Sequence, residues 1–329
     1  MLNLAAGELP EKLNISDPER VFAVHDAYAK AGAQFITANT FGANSLKYDN
    51  VDELVKAGVA LAKKAGKKVA LDLGPTGKLL KPMGDLEFEK AVELFGEVVR
   101  AGKDGSDVAI IETMSDMYEL KAAVLAVKEN SDLPIITSMI FDESGRLLTG
   151  GDVKSAVAML EGLRVDAIGF NCGLGPKQMI PLVKELRECT SLPIIVMPNA
   201  GLPESVDGKT VYNVSPDEFA NDMKEIAELG VSILGGCCGT TPAHIKRMIE
   251  LCKDIDDNIP EKKNDTVVCS YSTSVTIGQK PVVIGERINP TGKKLFKEAL
   301  RNNNIDYIIK EGIAQQEKGA HILDVNVGL

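Results

Sequence analysis

The sequence contains no run of about 20 consecutive apolar residues, so no segment of it can span a bilayer as a helix. Its opening, Met1-Leu2-Asn3-Leu4-Ala5-Ala6-Gly7-Glu8, lacks the basic start and long apolar core of a signal peptide, and the expected compartment is the cytoplasm. Long lysine and arginine runs are absent too. With 37 basic and 47 acidic residues the formal charge is −10, which argues against nucleic acid or an anionic membrane as the main partner. Six cysteines in 329 residues are too few for a disulfide framework. Three histidines, His25, His244 and His321, stand far apart, and none lies in a cysteine motif where it could activate a nucleophile.

What is present is an ordinary globular balance, 44% apolar and 26% charged, in a chain longer than the roughly 250 residues that one α/β barrel takes. Short β-branched runs alternate with longer amphipathic ones, the mark of βα units on a parallel sheet. Strands are expected at Phe35–Thr40, Val69–Gly74, Val108–Thr113, Pro134–Phe141, Ala167–Cys172, Pro193–Asn199 and Val231–Cys238. Helices are expected near 17–32, 51–65, 86–102, 116–129, 152–162, 177–188, 215–229 and 242–253. Ser16-Asp17-Pro18-Glu19, Ser215-Pro216-Asp217-Glu218 and Thr241-Pro242 supply caps and early prolines at helix starts. The pattern begins with a helix and falls one strand short of an eightfold barrel. Residues 1–253 are therefore expected to form a TIM-type (β/α)8 barrel lacking its first strand. The charged stretch from Asp254 opens a linker over 254–280. A strand at Pro281–Arg287, a helix near 303–318 and a strand at Ile322–Val327 follow, a truncated βαβ start of a second domain over 281–329.

In a parallel barrel the reactive side chains sit at the C-terminal ends of strands. Asn39, Thr40, Asp72, Glu112, Thr113, Asn171, Cys172, Asn199, Cys237 and Cys238 collect there, although singly an asparagine or threonine at such a place is often a loop cap. In Gly235-Gly236-Cys237-Cys238-Gly239-Thr240-Thr241-Pro242, flanking glycines free the backbone so that adjacent thiols can face one point. Asn171-Cys172-Gly173-Leu174-Gly175-Pro176 repeats the arrangement with one thiol. Three thiols at one barrel mouth suit Zn²⁺ with a fourth position open, whereas inert buried thiols are the bland alternative. Cys189 and Cys252, late in helical patterns, read as small buried hydrophobes, and Cys269 stands alone. Three thiolates leave zinc electron-rich, poor at making hydroxide but able to strip the proton from an incoming thiol. Alkyl transfer to sulfur fits better than hydrolysis.

Phe170–Pro176 and Gly235–Thr241 closely resemble the two zinc motifs of the homocysteine S-methyltransferase family, as do Leu9–Asn14 and Thr37–Asn44. The likeness runs from about Met1 to Cys252. Val283–Gly292 and Leu323-Asp324-Val325-Asn326 resemble the opening of a pterin-binding domain, and the order of the two resembles that in cobalamin-dependent methionine synthases. The resemblance implies an eight-stranded barrel in which Cys172, Cys237 and Cys238 hold zinc and homocysteine is methylated to methionine. It implies Glu112 as receiver of the substrate ammonium, Asn39 and Thr40 on the substrate side, and Asn199 near the fourth zinc position. It further implies Glu286, Asn289, Asp324 and Asn326 along the pterin edge. Methylcobalamin on a module outside this chain, in cis or in trans, would deliver the methyl group, with methyltetrahydrofolate as its source. Family members open with a strand ending in Asp-Gly-Ala-Met-Gly-Thr, and Met1-Leu2 align just after it, hence the expectation of a lost strand, two exposed sheet edges and weakened homocysteine binding. Competing readings are a zinc methyltransferase with another thiol or selenol acceptor or another donor, and a non-catalytic zinc scaffold with four protein ligands.

Overall fold

In the computed structural model, which describes residues 2, 4, 7–206, 209–256 and 258–328, the alternating pattern becomes a curled parallel sheet with helices outside it. The chain divides into Met1–Lys263 and Asn264–Leu329. In the first unit a short 3-10 turn at Pro10–Lys12 leads into α1 (Leu13–Ser16) and α2 (Pro18–Lys30). There follow β1 (Phe35–Thr37), α3 (Val51–Lys64), β2 (Lys68–Leu73), α4 (Phe88–Gly102), β3 (Val108–Met114), α5 (Met117–Asn130), β4 (Ile135–Met139) and α6 (Val153–Gly162). The unit continues through β5 (Ala167–Asn171), α7 (Pro176–Cys189), β6 (Ile194–Met197), a small hairpin of β7 (Glu204–Val206) and β8 (Lys209–Val211), α8 (Pro216–Glu228), β9 (Ile233–Leu234) and α9 (Pro242–Cys252). Helix starts are fixed by side chains: Asp116 and Asp152 accept from the first-turn amides of α5 and α6, and Ser215 with Glu218 forms a capping box on α8.

The main sheet has seven parallel strands in the order β1-β2-β3-β4-β5-β6-β9. Among the described residues nothing pairs with the outer edge of β1 or β9, so the strands form a half-barrel instead of the closed eightfold ring that the family resemblance implies. Phe35, on β1, is 44% exposed at that edge. The helices do meet there: the Tyr28 hydroxyl of α2 donates to the carbonyl of Thr240 just before α9 at 3.0 Å, and Gly32 lies against Ile249 of α9.

Inside the curl, Ala70, Val108, Ile110 and Ile195 form an apolar floor with Ile136, Met197 and Ile233 packed against it. Side chains alternate along a strand, so the next inward positions toward the C-terminal ends are Asp72 above Ala70, Glu112 above Ile110, Ser138 above Ile136 and Asn171 on β5. Apolar burial thus sets the register, and the register presents a polar layer at the mouth.

Most strands of the main sheet match to within two residues, but the first and the last end three and four residues short of their expected C-terminal ends. The first ends at Thr37 because Ala38–Thr40 turns, with the Thr40 amide on the Ala38 carbonyl. The last ends at Leu234 because Gly235 and Gly236 release the backbone. In the second unit, residues expected as linker pair as an antiparallel hairpin, β10 (Thr266–Cys269) with β11 (Ser274–Ile277), whose β-branched residues favour extended backbone. Then come β12 (Ile284–Ile288), α10 (Lys294–Arg301), α11 (Ile305–Glu317) and β13 (Ile322–Val325), with β12 and β13 parallel. The helix α10 is an addition to the expected βαβ pattern. Ile284, Leu295, Ile309 and Val325 are exposed. No helix among the described residues is long and apolar enough to cross a membrane.

Close approach of β5 to β6 leaves no room at Gly169, where a Cβ would lie 1.6 Å from the Ile195 carbonyl oxygen. Gly169→Ala is expected to destabilise the chain by about 4 kcal/mol or more in urea unfolding. A loss below about 1 kcal/mol would contradict this packing.

Candidate metal centre

Two turns bring three thiols together. After β5 the chain reverses at Cys172 and Gly173, both with positive φ (58° and 68°), and the Cys172 amide donates to the Met197 carbonyl at 3.1 Å. After β9 the Cys237 amide donates to the Pro198 carbonyl at 2.8 Å, the Cys238 amide to Asn199 Oδ1 at 3.1 Å, and Gly239 turns away at φ 80°. Both turns are therefore tied to the end of β6. The Sγ atoms of Cys172 and Cys238 stand 3.9 Å apart and those of Cys237 and Cys238 4.0 Å, with all three sulfurs within 4.8 Å of one another. Sulfurs about 2.3 Å from a tetrahedral zinc would be ~3.8 Å apart. The donor set and spacing fit that ion.

Asn171, fully buried, holds this arrangement from below. Its Oδ1 accepts from the Thr113 amide at 2.8 Å and Ser138 Oγ at 2.7 Å, and its Nδ2 donates to Thr113 Oγ1 at 2.7 Å and faces Cys237 Sγ at 3.9 Å. Thr113 adopts φ 65°, a backbone state unusual for a β-branched residue, and this network supports it.

The thiols are electrostatically unequal. Hydrogen bonds from Cys172 and Cys237 lower the Cys238 thiol, whereas hydrogen bonds to Cys172 and Cys238, then burial and the neighbouring charge, raise that of Cys237. Burial and the Cys238 sulfur push the Tyr212 phenol up to about 12; it hydrogen-bonds that sulfur. Burial, then the nearby Cys238 charge, lifts the Glu112 carboxyl to about 7. Burial, with Glu112 and Glu11 close by, holds Asp72 well above the usual carboxylate range.

Glu112 thus joins the cysteines at the mouth, while other expected residues are engaged by the chain itself. Asn39 Nδ2 donates to the Pro10 carbonyl and Asn14 Oδ1, both at 2.8 Å, and Thr40 Oγ1 donates to the Asp72 carbonyl at 2.8 Å. Asn199 gives its oxygen to the Cys238 amide, fixing the turn. In the second unit Glu286 and Asn289 lie at the end of β12, Asp324 and Asn326 at the end of β13, with Asn289 Nδ2 3.5 Å from Glu286 Oε2. Cys189 and Cys252 end their helices half-buried, and Cys269 is exposed. His244 is satisfied by Thr241 and the Val214 carbonyl, but His25 is buried with no partner for Nε2 and burial lowers it to about 4, so it is neither satisfied nor exposed. Sequence reading missed Tyr212 and Ser138; the first lies in an irregular loop after β8, and the second carries no motif.

A family model described as homocysteine S-methyltransferase matches residues 4–252. The chain is 32% identical to methionine synthase of Mycobacterium leprae (strain TN), over 96% of this chain and 29% of that protein. It is also 32% identical to methionine synthase of Mycobacterium tuberculosis (strain ATCC 25618 / H37Rv), over 96% of this chain and 28% of that protein. The chain thus spans under a third of the length of these relatives. Among solved structures it is similar to the homocysteine methyltransferase MmuM from Escherichia coli. The metallated form has TM-score 0.65 and 23% identity, covering 75% of this chain and 90% of that one. The apo form has TM-score 0.62 and 25% identity with the same coverage.

A carboxyl raised from 4.5 to about 7 binds a proton in the folded chain that the unfolded chain releases. In the metal-free protein, stability should therefore be greatest below about 4.5 as far as Glu112 is concerned, and fall as pH rises to about 7, by roughly 1–3 kcal/mol. Glu112→Gln should flatten that slope in urea titrations; an unchanged slope would remove Glu112 as its source.

Proposed function

This chain belongs to the homocysteine S-methyltransferase family, and from that premise we propose that Met1–Lys263 holds one zinc ion on Cys172, Cys237 and Cys238 and methylates homocysteine to methionine. The observation that carries this reading is the set of three sulfurs within 4.8 Å of one another, two of the pairs at 3.9 and 4.0 Å, on turns beside glycines. The metallated form named for the Escherichia coli relative is consistent with it. Zinc, when bound, supplies a positive centre that lowers the pKa of a thiol at its open position.

The chain's own residues do the rest. Asn171 and Asn199 hold the sulfurs converged through their bonds to Thr113, Ser138 and the Cys238 amide. Glu112 faces the mouth as a carboxylate for the substrate ammonium, and a buried carboxylate needs such a partner. Asn39 and Thr40 shape the substrate side by pinning Pro10 and the end of β2. In the overall transfer a carbon–sulfur bond forms as the donor's bond to the methyl carbon breaks, the electron pair staying with the donor and the thiol proton passing to solvent.

Methylcobalamin on a module outside this chain is the proposed donor, and methyltetrahydrofolate its source, because the chain matches under a third of the methionine synthases named above. Glu286, Asn289, Asp324 and Asn326, at adjacent ends of the parallel strands β12 and β13, are the proposed pterin contacts. The proposed domain plan keeps the zinc barrel in 1–253 and the pterin-binding start in 281–329. The cytoplasm is the proposed compartment.

Zinc-loaded protein should carry one zinc per chain and bind homocysteine at neutral pH with release of about one proton, measured by calorimetry in buffers of different ionisation enthalpy. Cys172→Ala, Cys237→Ala and Cys238→Ala should each weaken zinc by at least roughly 100-fold in chelator competition. Zinc held tightly with no homocysteine binding or proton release would favour the non-catalytic scaffold.

A further inference from the structure

Most buried acids of the first unit are committed to the chain. Glu11 accepts from the Gly42 amide and the Tyr48 hydroxyl, Glu119 from the amide and hydroxyl of Thr76, and Asp116 caps α5. Asp72 differs. It is 6% exposed, and its Oδ1 is buried with no hydrogen-bond partner. No basic side chain among the described residues forms an ion pair with it; the charges that bear on it, Glu112 and Glu11, are both acidic. Such a group is costly to fold, so its position needs a reason.

The register supplies one. Asp72 pairs with Ile110 across β2 and β3, so it sits above the apolar floor on the same inward face as Glu112, one step along the neighbouring strand. The same mouth holds the three sulfurs, since Glu112 feels the charge at Cys238. A ligand seated there meets soft sulfur at one end and two carboxyls at the other. An ammonium carries three donors, more than one carboxylate accepts in a single geometry.

We propose that Asp72 is a second anchor for the substrate ammonium beside Glu112, and so a determinant of specificity for amino thiols over plain thiols. This rests on the thiol site proposed above. The orphan oxygen gains its partner when the cation arrives, and a thiol without an amino group leaves it unpaired.

The test compares homocysteine with 4-mercaptobutyrate, the same thiol acid without the amino group, by calorimetry on the zinc-loaded protein. Asp72→Asn keeps the shape and removes the charge. It should retain zinc and weaken homocysteine by about tenfold or more while changing 4-mercaptobutyrate by less than about twofold. Asp72→Ser serves as a second variant should Asp72→Asn fold poorly, with the same expectation. Unchanged homocysteine affinity, or equal loss for both ligands, would overturn the role of Asp72 and leave the thiol site standing. Failure of the unaltered protein to bind either ligand would overturn the thiol site, and this proposal with it.

Discussion

Three sulfurs gathered within 4.8 Å cannot all carry charge unless a cation joins them. One thiolate can be stabilised by hydrogen bonds from its neighbours, which is why Cys238 ionises readily and Cys237 resists. A second and third negative charge at that spacing repel strongly in a partly buried site. The backbone accepts the unusual conformation of Cys172 to create this cluster. The rest of the first unit can be understood as the framework that holds the sulfurs in place.

That framework works by layers. Apolar residues on alternate positions of β2, β3, β4, β6 and β9 fix the register of the curled sheet, and on β2, β3 and β4 the following inward position carries the polar Asp72, Glu112 and Ser138. Asn171 then links β3, β4 and β5 to the thiols, while the end of β6 ties both cysteine turns through Met197, Pro198 and Asn199. Glycine at 169 lets β5 approach β6 closely enough for this to occur. The sheet stays open between β1 and β9, the strand that leads into Cys237 and Cys238, and α2 meets α9 across that edge.

Much of this was legible in the sequence. Cap residues and β-branched runs placed the seven strands of the main sheet and the helices between them within a few residues, because burial on a parallel sheet and helix-end hydrogen bonding are local demands; α1 and the β7–β8 hairpin were not expected. The cysteine trio was legible because thiols beside glycines at strand ends mark turns that can bring sulfurs together. Side-chain commitments were not legible. Asn39 and Thr40 read as pocket residues, yet their polar groups bond to Pro10, Asn14 and Asp72, partners remote in sequence. Tyr212 reaches Cys238 from a loop whose path depends on Val214 bonding to Ala200 and His244. The hairpin of β10 and β11 reads as linker because it follows the charged stretch 254–265, although its own residues are uncharged and rich in valine, threonine and isoleucine.

The central claim is that one zinc ion sits on these three sulfurs with one position left for a light atom or a substrate. X-ray absorption at the zinc edge of the substrate-free protein addresses it directly. The account predicts three sulfur scatterers at about 2.3 Å and one oxygen or nitrogen at about 2.0–2.2 Å. Four sulfurs, or two or fewer with histidine nitrogens making up the remainder, would contradict it.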